Sequence, residues 1–238
     1  IPISTTWRME LKGADHRMLV FESAHDFEPP QRYRNEYGQF LENSPYCERD
    51  IRAPSELETH DEMGDFEVRV KARGQFHRHI LDHHPLDVIG WDGFLFPHAF
   101  NIADFEPITG RVHQPPPVHQ TWEGWNFVIC SFVPRLFDYH PLAIPAPYNH
   151  ANVNSDEVIY YAEGNFMSRK GVEQFDLSLH PGGLPHGPHP GTVEASIGKA
   201  RTEELAVMID TFHPLQVTAF ALEHEDERYA YSWVEQGE

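Results

Sequence analysis

Cysteine is nearly absent from this chain. Its 238 residues hold only Cys47 and Cys130, far apart and in no CxxC or zinc-ligand pattern, which excludes a disulfide-rich scaffold and fits free thiols in a reducing compartment. Positive charge is short as well. Eighteen Lys and Arg stand against 37 Asp and Glu, a formal net charge of −19; that charge repels a phosphate backbone and excludes nucleic acid as a partner. No run approaches the roughly 18–20 consecutive apolar residues of a membrane span, and no charged-then-apolar leader pattern opens the chain. A cytoplasmic protein with no membrane partner is the expectation. Helical periodicity is also scarce.

Apolar residues make up 40% and aromatics 13% of the chain, enough for a substantial core, while 20 prolines and 16 glycines cut the apolar runs short. Short runs between turn residues predict an all-β barrel or sandwich. The expected strands are Met18–Ser23, Phe66–Ala72, Phe127–Val133, Val158–Ala162, Phe175–Leu179 and Leu205–Thr211. Arg32–Leu41 reads as a short helix or an irregular arm, and Thr202–Ala206 as at most a turn. Cys130, inside Phe127–Phe132, reads as a small core residue.

The densest chemistry lies between His150 and His186. One motif is His150-Ala-Asn152-Val-Asn-Ser-Asp-Glu157 running on to Gly164; the other is Pro181-Gly-Gly183-Leu-Pro-His186. Two imidazoles and a carboxylate are the ligands of the 2-His-1-carboxylate site, which leaves neighbouring positions open on a non-haem Fe(II) for substrate and O2. Glu157 falls at the start of the Val158–Ala162 strand, His150 enters from the preceding loop, and the Pro181–Gly183 turn is expected to carry His186 onto a strand facing the first. In a chain with 17 histidines any single match is cheap. Two motifs in order carry more weight.

Ile1-Pro2-Ile-Ser4-Thr-Thr-Trp7 echoes the second motif, with Ser4 at a glycine position and Trp7 at the histidine position. It reads as a copy that has lost its ligand. The expected segments are therefore the end of a degenerate barrel over 1–23, a connecting arm over 24–67 and an iron-binding barrel over 68–238, the whole being the C-terminal portion of a longer two-barrel protein. A truncated first barrel would expose strand edges, so a homo-oligomer is expected. The segment His113-Gln-Pro-Pro-Pro-Val-His119 must be a shaped loop, because three prolines remove three ladder donors. Either histidine there could face a substrate or bond a neighbouring carbonyl. His77, His79, His83 and His84 are not expected to form a second metal site, and Glu223–Glu227 reads as a solvated tail or interface rim.

These residues together resemble a known family. Phe105-Glu-Pro-Ile-Thr-Gly-Arg111, His113–His119, Pro147-Tyr-Asn-His150, Ser155-Asp-Glu157 and Leu179-His-Pro-Gly-Gly183 are similar to bacterial homogentisate 1,2-dioxygenases, with the likeness running from about Ile1 to Trp233 and strongest between Asp87 and Pro214. The resemblance implies a cupin (double-stranded β-helix, jelly-roll) barrel and an Fe(II) centre. It also implies O2-dependent cleavage of homogentisate, a small aromatic acid, to maleylacetoacetate in phenylalanine and tyrosine catabolism. By the same resemblance the ligands are His150, Glu157 and His186; Asp156 is adjacent, and the spacing to Gly164 selects Glu157. His119 is then the proton acceptor, with a pKa near the operating pH, and His180 and His186 lie against the substrate. Phe166 stands where the family often has a substrate-bonding tyrosine. That departure keeps gentisate, a related hydroquinone acid, as an alternative substrate, and a nonenzymatic ligand-binding cupin as an alternative of another class.

Overall fold

The computed structural model describes residues 1–2, 5–54, 59–86, 97–110 and 118–234. Strands dominate and the helices are short, so the chain is all-β. The residues group into two units, 1–18 with 49–100 and 19–48 with 101–238.

In the first unit, β1 (Ile51–Arg52) is followed by β2 (Met63–Ala72), β3 (Gln75–His83) and β4 (Ala99–Phe100). Strands β1 and β4 pair antiparallel. Strands β2 and β3 form a hairpin closed by Arg73 and Gly74, at φ 52° and 74°. Two left-handed residues are what a two-residue hairpin turn requires, since their twist matches that of the strands. The expected boundary between Glu67 and Val68 runs through β2. His77 and His79 lie on the exposed β3, and His84 stacks on His60 at 3.8 Å.

The second unit holds β5 (Gln120–Gly124), β6 (Phe127–Phe132), β7 (Arg135–Leu136), β8 (Asp156–Glu163), β9 (Leu177–His180), β10 (Arg201–Thr202) and β11 (Leu205–Thr211), with the short helices α1 (Thr192–Ser196) and α2 (Ala219–Leu222). Five of the strands make one antiparallel sheet in the order β5-β6-β11-β8-β9. Side chains alternate along a strand, so cross-strand partners share a face. Ile159 and Tyr161 of β8 and Ala206 of β11 pack on one face with Phe132, Phe166, Val172 and Met208. The segment at 19–48 is tied to β5: Glu28 and Glu123 exchange backbone bonds at 2.8 Å, and the Tyr33 and Tyr46 hydroxyls donate to the Gln120 and Thr121 carbonyls.

Leu205–Thr211 is a strand over the expected span, and the expected strands at 66–72, 127–133 and 158–162 match β2, β6 and β8 to within three residues at each end. Three expectations change. Met18–Ser23 forms no strand; instead Phe21 packs edge-on to Phe27 and Phe127 at 5.4 and 5.0 Å. Strand β9 starts at Leu177 rather than Phe175, because Phe175 turns at φ 76°. Thr202–Ala206 is not merely a turn, since β10 pairs with β7 beside an Arg135–Glu204 ion pair of 2.9 Å. Arg32–Leu41 is irregular beyond a single 3-10 turn at Gln31–Tyr33.

Strand β8 is followed by Gly164, whose φ is 93° and whose missing Cβ would collide with the Glu203 carbonyl oxygen. Gly164→Ala is expected to cost more than the roughly 1–2 kcal/mol of left-handed backbone alone. Urea denaturation would register this as a lower midpoint at an unchanged slope.

Candidate metal centre

The centre starts from one row across the sheet. Asp210 of β11, Glu157 of β8 and His180 of β9 are successive register partners, so their side chains share a face. Glu157 is only 4% exposed. A carboxylate that far from water needs donors, and the nearest is His180, whose Nδ1 lies 2.7 Å from Oε1. Nε2 of His186 lies 3.6 Å from Oε2. Burial pushes the Glu157 carboxyl up, but the His180 bond and the nearby His186 imidazole outweigh it and hold the group well below the usual carboxylate range. Burial also lowers His180, against the pull of Glu157, while the Glu157 contact raises His186.

Asp156 points the other way, as strand alternation requires. Its Oδ1 accepts from the Gly182 amide at 2.7 Å and its Oδ2 from the Leu215 amide at 2.6 Å. One of the adjacent acids therefore ties loops together while the other faces the histidines.

The two histidine motifs meet through their backbones. The His150 amide donates to the His186 carbonyl at 2.9 Å, and the His186 amide donates back to the His150 carbonyl at 2.8 Å. This reciprocal pair sets the two rings 4.5 Å apart. His186 thus sits in a bridge with His150 and not, as expected, on a strand facing β8; the strand beside β8 is β9, which precedes the Pro181–Gly183 turn. Gly183, at φ 83°, adds a bond from its amide to the Asn152 carbonyl at 2.7 Å.

Each imidazole is oriented the same way. Nδ1 of His150 bonds the Tyr148 carbonyl at 3.1 Å, and Nδ1 of His186 bonds the Leu184 carbonyl at 2.9 Å. A histidine whose Nδ1–H is committed to a carbonyl presents the Nε2 lone pair, the usual arrangement of a metal-bound imidazole. Nε2 of His186 is buried without a hydrogen-bond partner. The potential ligand atoms of His150, Glu157 and His186 all lie within 4.8 Å of one another. Two atoms bound at about 2.1 Å to one ion lie within about 4.2 Å of each other, a limit that the 3.6 Å His186–Glu157 separation already meets. The residues present fit a divalent ion.

The remaining candidates are more dispersed. His180 is in the row, stacked on His186 at 4.5 Å and 9°. Phe166 packs edge-on to Tyr161 at 4.7 Å within the apolar cluster. His119 packs on Phe132 at 4.7 Å, and its Nδ1 is buried without a partner. Burial, with help from Arg135, lowers its pKa to about 3. The ring is neutral and free to accept, yet a weaker base than the expected group poised near neutral pH. His113, the Pro115–Pro117 loop and Ser4 lie outside the described residues.

Sequence reasoning missed Asp210. Its Oδ1 is buried and unbonded, and burial, then the charge of Glu157, raises its carboxyl to about 7. The signal was available as an acid directly after the apolar Leu205–Ile209 run and within the same expected strand.

With this geometry, the relatives can be placed. The chain is 44% identical over 235 residues to a protein of Saccharolobus solfataricus provisionally named a dioxygenase; the match takes in 98% of the chain and 60% of that protein. It is also similar to proteins named homogentisate 1,2-dioxygenase. The match to that of Sinorhizobium medicae is 31% over 173 residues, 66% of the chain and 38% of the relative. The match to that of Bradyrhizobium diazoefficiens is 27% over 237 residues, 93% of the chain and 51% of the relative. The family model for the homogentisate 1,2-dioxygenase N-terminal region matches residues 1–102. The chain is thus related to the homogentisate 1,2-dioxygenases, and it spans about two-fifths to three-fifths of the length of these relatives.

The row makes its own prediction. His180→Leu strips the short donor from a buried carboxylate and is expected to destabilise the chelator-treated protein by about 1–3 kcal/mol, measured by urea denaturation.

Proposed function

We propose that the chain carries the Fe(II) centre of a ring-cleaving dioxygenase acting on homogentisate, within a cupin barrel of which the five-stranded sheet is one wall. His150, Glu157 and His186 are the ligands in this reading. The observation that carries it is their convergence, with both Nδ1 atoms committed to carbonyls and an unpartnered Nε2 on His186. The segments 1–23, 24–67 and 68–238 are then the end of a degenerate cupin, an arm and the iron-binding cupin. The protein works in the cytoplasm as a homo-oligomer on a small aromatic acid and O2.

Bound iron would acidify a substrate phenol and hold it next to O2. The chain's own residues do the rest. His180 holds Glu157 in one orientation through the 2.7 Å bond. His119, with its unpartnered Nδ1, is the group that accepts the phenolic proton in this reading, although burial makes it a weak base. Ile159 and Tyr161 follow Glu157 on the same face of β8, so in this reading their apolar cluster forms one wall of the site.

A second reading keeps the iron and changes the substrate. Phe166 lies in the apolar cluster and offers no hydroxyl, which favours a related hydroquinone acid such as gentisate. A nonenzymatic ligand-binding cupin is the reading left if the protein holds no iron.

Iron analysis combined with O2 uptake on homogentisate and on gentisate separates the three. His150→Ala, Glu157→Ala and His186→Ala are each expected to lose iron, and stoichiometric iron in any of them removes that residue from the site. His119→Asn should keep iron and slow turnover by about 100-fold or more; loss of iron would make His119 a ligand or a structural residue. Phe166→Tyr should tighten homogentisate binding if that acid is the substrate, because a hydrogen bond to a charged group contributes about 1.5–3 kcal/mol. Lost stability with no gain in affinity would favour a different acid.

A further inference from the structure

The chain just after His186 is held from two distant places. The Gly187 carbonyl accepts from Nη1 of Arg169 at 2.6 Å and from Nε1 of Trp233 at 3.0 Å. The two donors also brace each other, with the guanidinium carbon of Arg169 5.9 Å from the Trp233 ring centroid. Gly187 is itself buried, and a Cβ there would lie 2.2 Å from Oδ1 and 2.8 Å from Cα of Asn149, the neighbour of His150. One buried peptide therefore sits between the two histidine loops and is fixed by residues 18 and 46 positions away.

Trp233 reaches further. It stacks on His189 at 3.8 Å, while Nε2 of His189 bonds Oγ of Ser232 at 2.7 Å. It also meets His180, the donor to Glu157, edge-on at 6.2 Å. The turn at 232–233 is thus packed against His180 and against the chain that follows His186.

We infer that Trp233 and Arg169 are positioning residues for the metal centre, acting through the Gly187 carbonyl to fix the backbone from which the His186 imidazole projects. This rests on the three-ligand reading of His150, Glu157 and His186. An imidazole's direction follows its Cα–Cβ bond, so a peptide locked on both sides of His186 sets the lone pair before any ion arrives. On the His150 side the lock is the reciprocal bridge, and on the other it is the doubly bonded carbonyl. Losing one donor leaves the carbonyl satisfied by the other, so the fold survives while the aim of His186 loosens. Losing both orphans a buried acceptor.

The test uses Co(II) as probe on the full chain, with a chelator competition for affinity, the visible spectrum for geometry and melting of the metal-free protein for the fold. Trp233→Phe keeps the ring and removes the N–H. It should bind Co(II) about tenfold more weakly with an altered visible band, while the metal-free protein melts within about 3 °C of wild type. Arg169→Gln should act alike, and the double variant should lose more than the product of the two single effects, because the pair shares one acceptor. Unchanged affinity and spectrum in the single variants overturn the inference, as does a large drop in melting temperature with affinity intact. If Trp233→Phe does not fold, Arg169→Gln decides by the same readouts. Wild-type protein that binds no Co(II) overturns the three-ligand reading itself, and the inference falls with it.

Discussion

A carboxylate buried inside a sheet is the constraint on which this structure turns. Glu157 is the second residue of β8 and has almost no contact with water, so its charge must be met by groups the fold supplies. Strand pairing supplies one, by placing His180 opposite it on β9. Loop closure supplies another, by bringing His186 to its second oxygen. The neighbouring acid of the row, Asp210, intensifies the demand, since two carboxyls side by side with few donors favour the arrival of a cation. The sheet is accordingly more than a scaffold, because its register makes a site short of positive charge.

Rigidity comes from the backbone, and reactivity from the side chains that the backbone leaves free. The His150–His186 exchange, the Gly183–Asn152 bond and the Asp156 ties to Gly182 and Leu215 fix the loops. The Nδ1 bonds to Tyr148 and Leu184 fix the rings. Every one of these uses a polar group that is not a proposed ligand atom, which leaves the Nε2 atoms and Oε2 of Glu157 available. A site preorganised in this way binds with little ordering cost.

Much of the centre was legible in the sequence because it is local. The His150–Glu157 spacing, the Val158–Ala162 run and the Pro-Gly-Gly turn each encode their own geometry, and the structure brings the three named residues together. What was hidden is non-local. The bridge that places His186 beside His150 is a long-range pairing with no periodic signal. Asp210 enters through strand order, and Trp233 through a turn beyond the acidic Glu223–Glu227 run. The β2–β3 hairpin was only half visible, since Arg-Gly is a less familiar two-residue turn than Asn-Gly. Met18–Ser23 misled for the opposite reason: a short apolar run predicts a strand only where a partner exists to complete its ladder.

The central claim is that this chain builds a three-ligand site for one divalent ion on the face of the sheet. The most direct measurement is anomalous X-ray diffraction from crystals of the protein loaded with Fe(II) under anaerobic conditions. The account predicts a single strong peak within bonding distance of Nε2 of His150, Nε2 of His186 and an Oε atom of Glu157. A peak held by other residues, or a fully ordered centre with no peak, would contradict it.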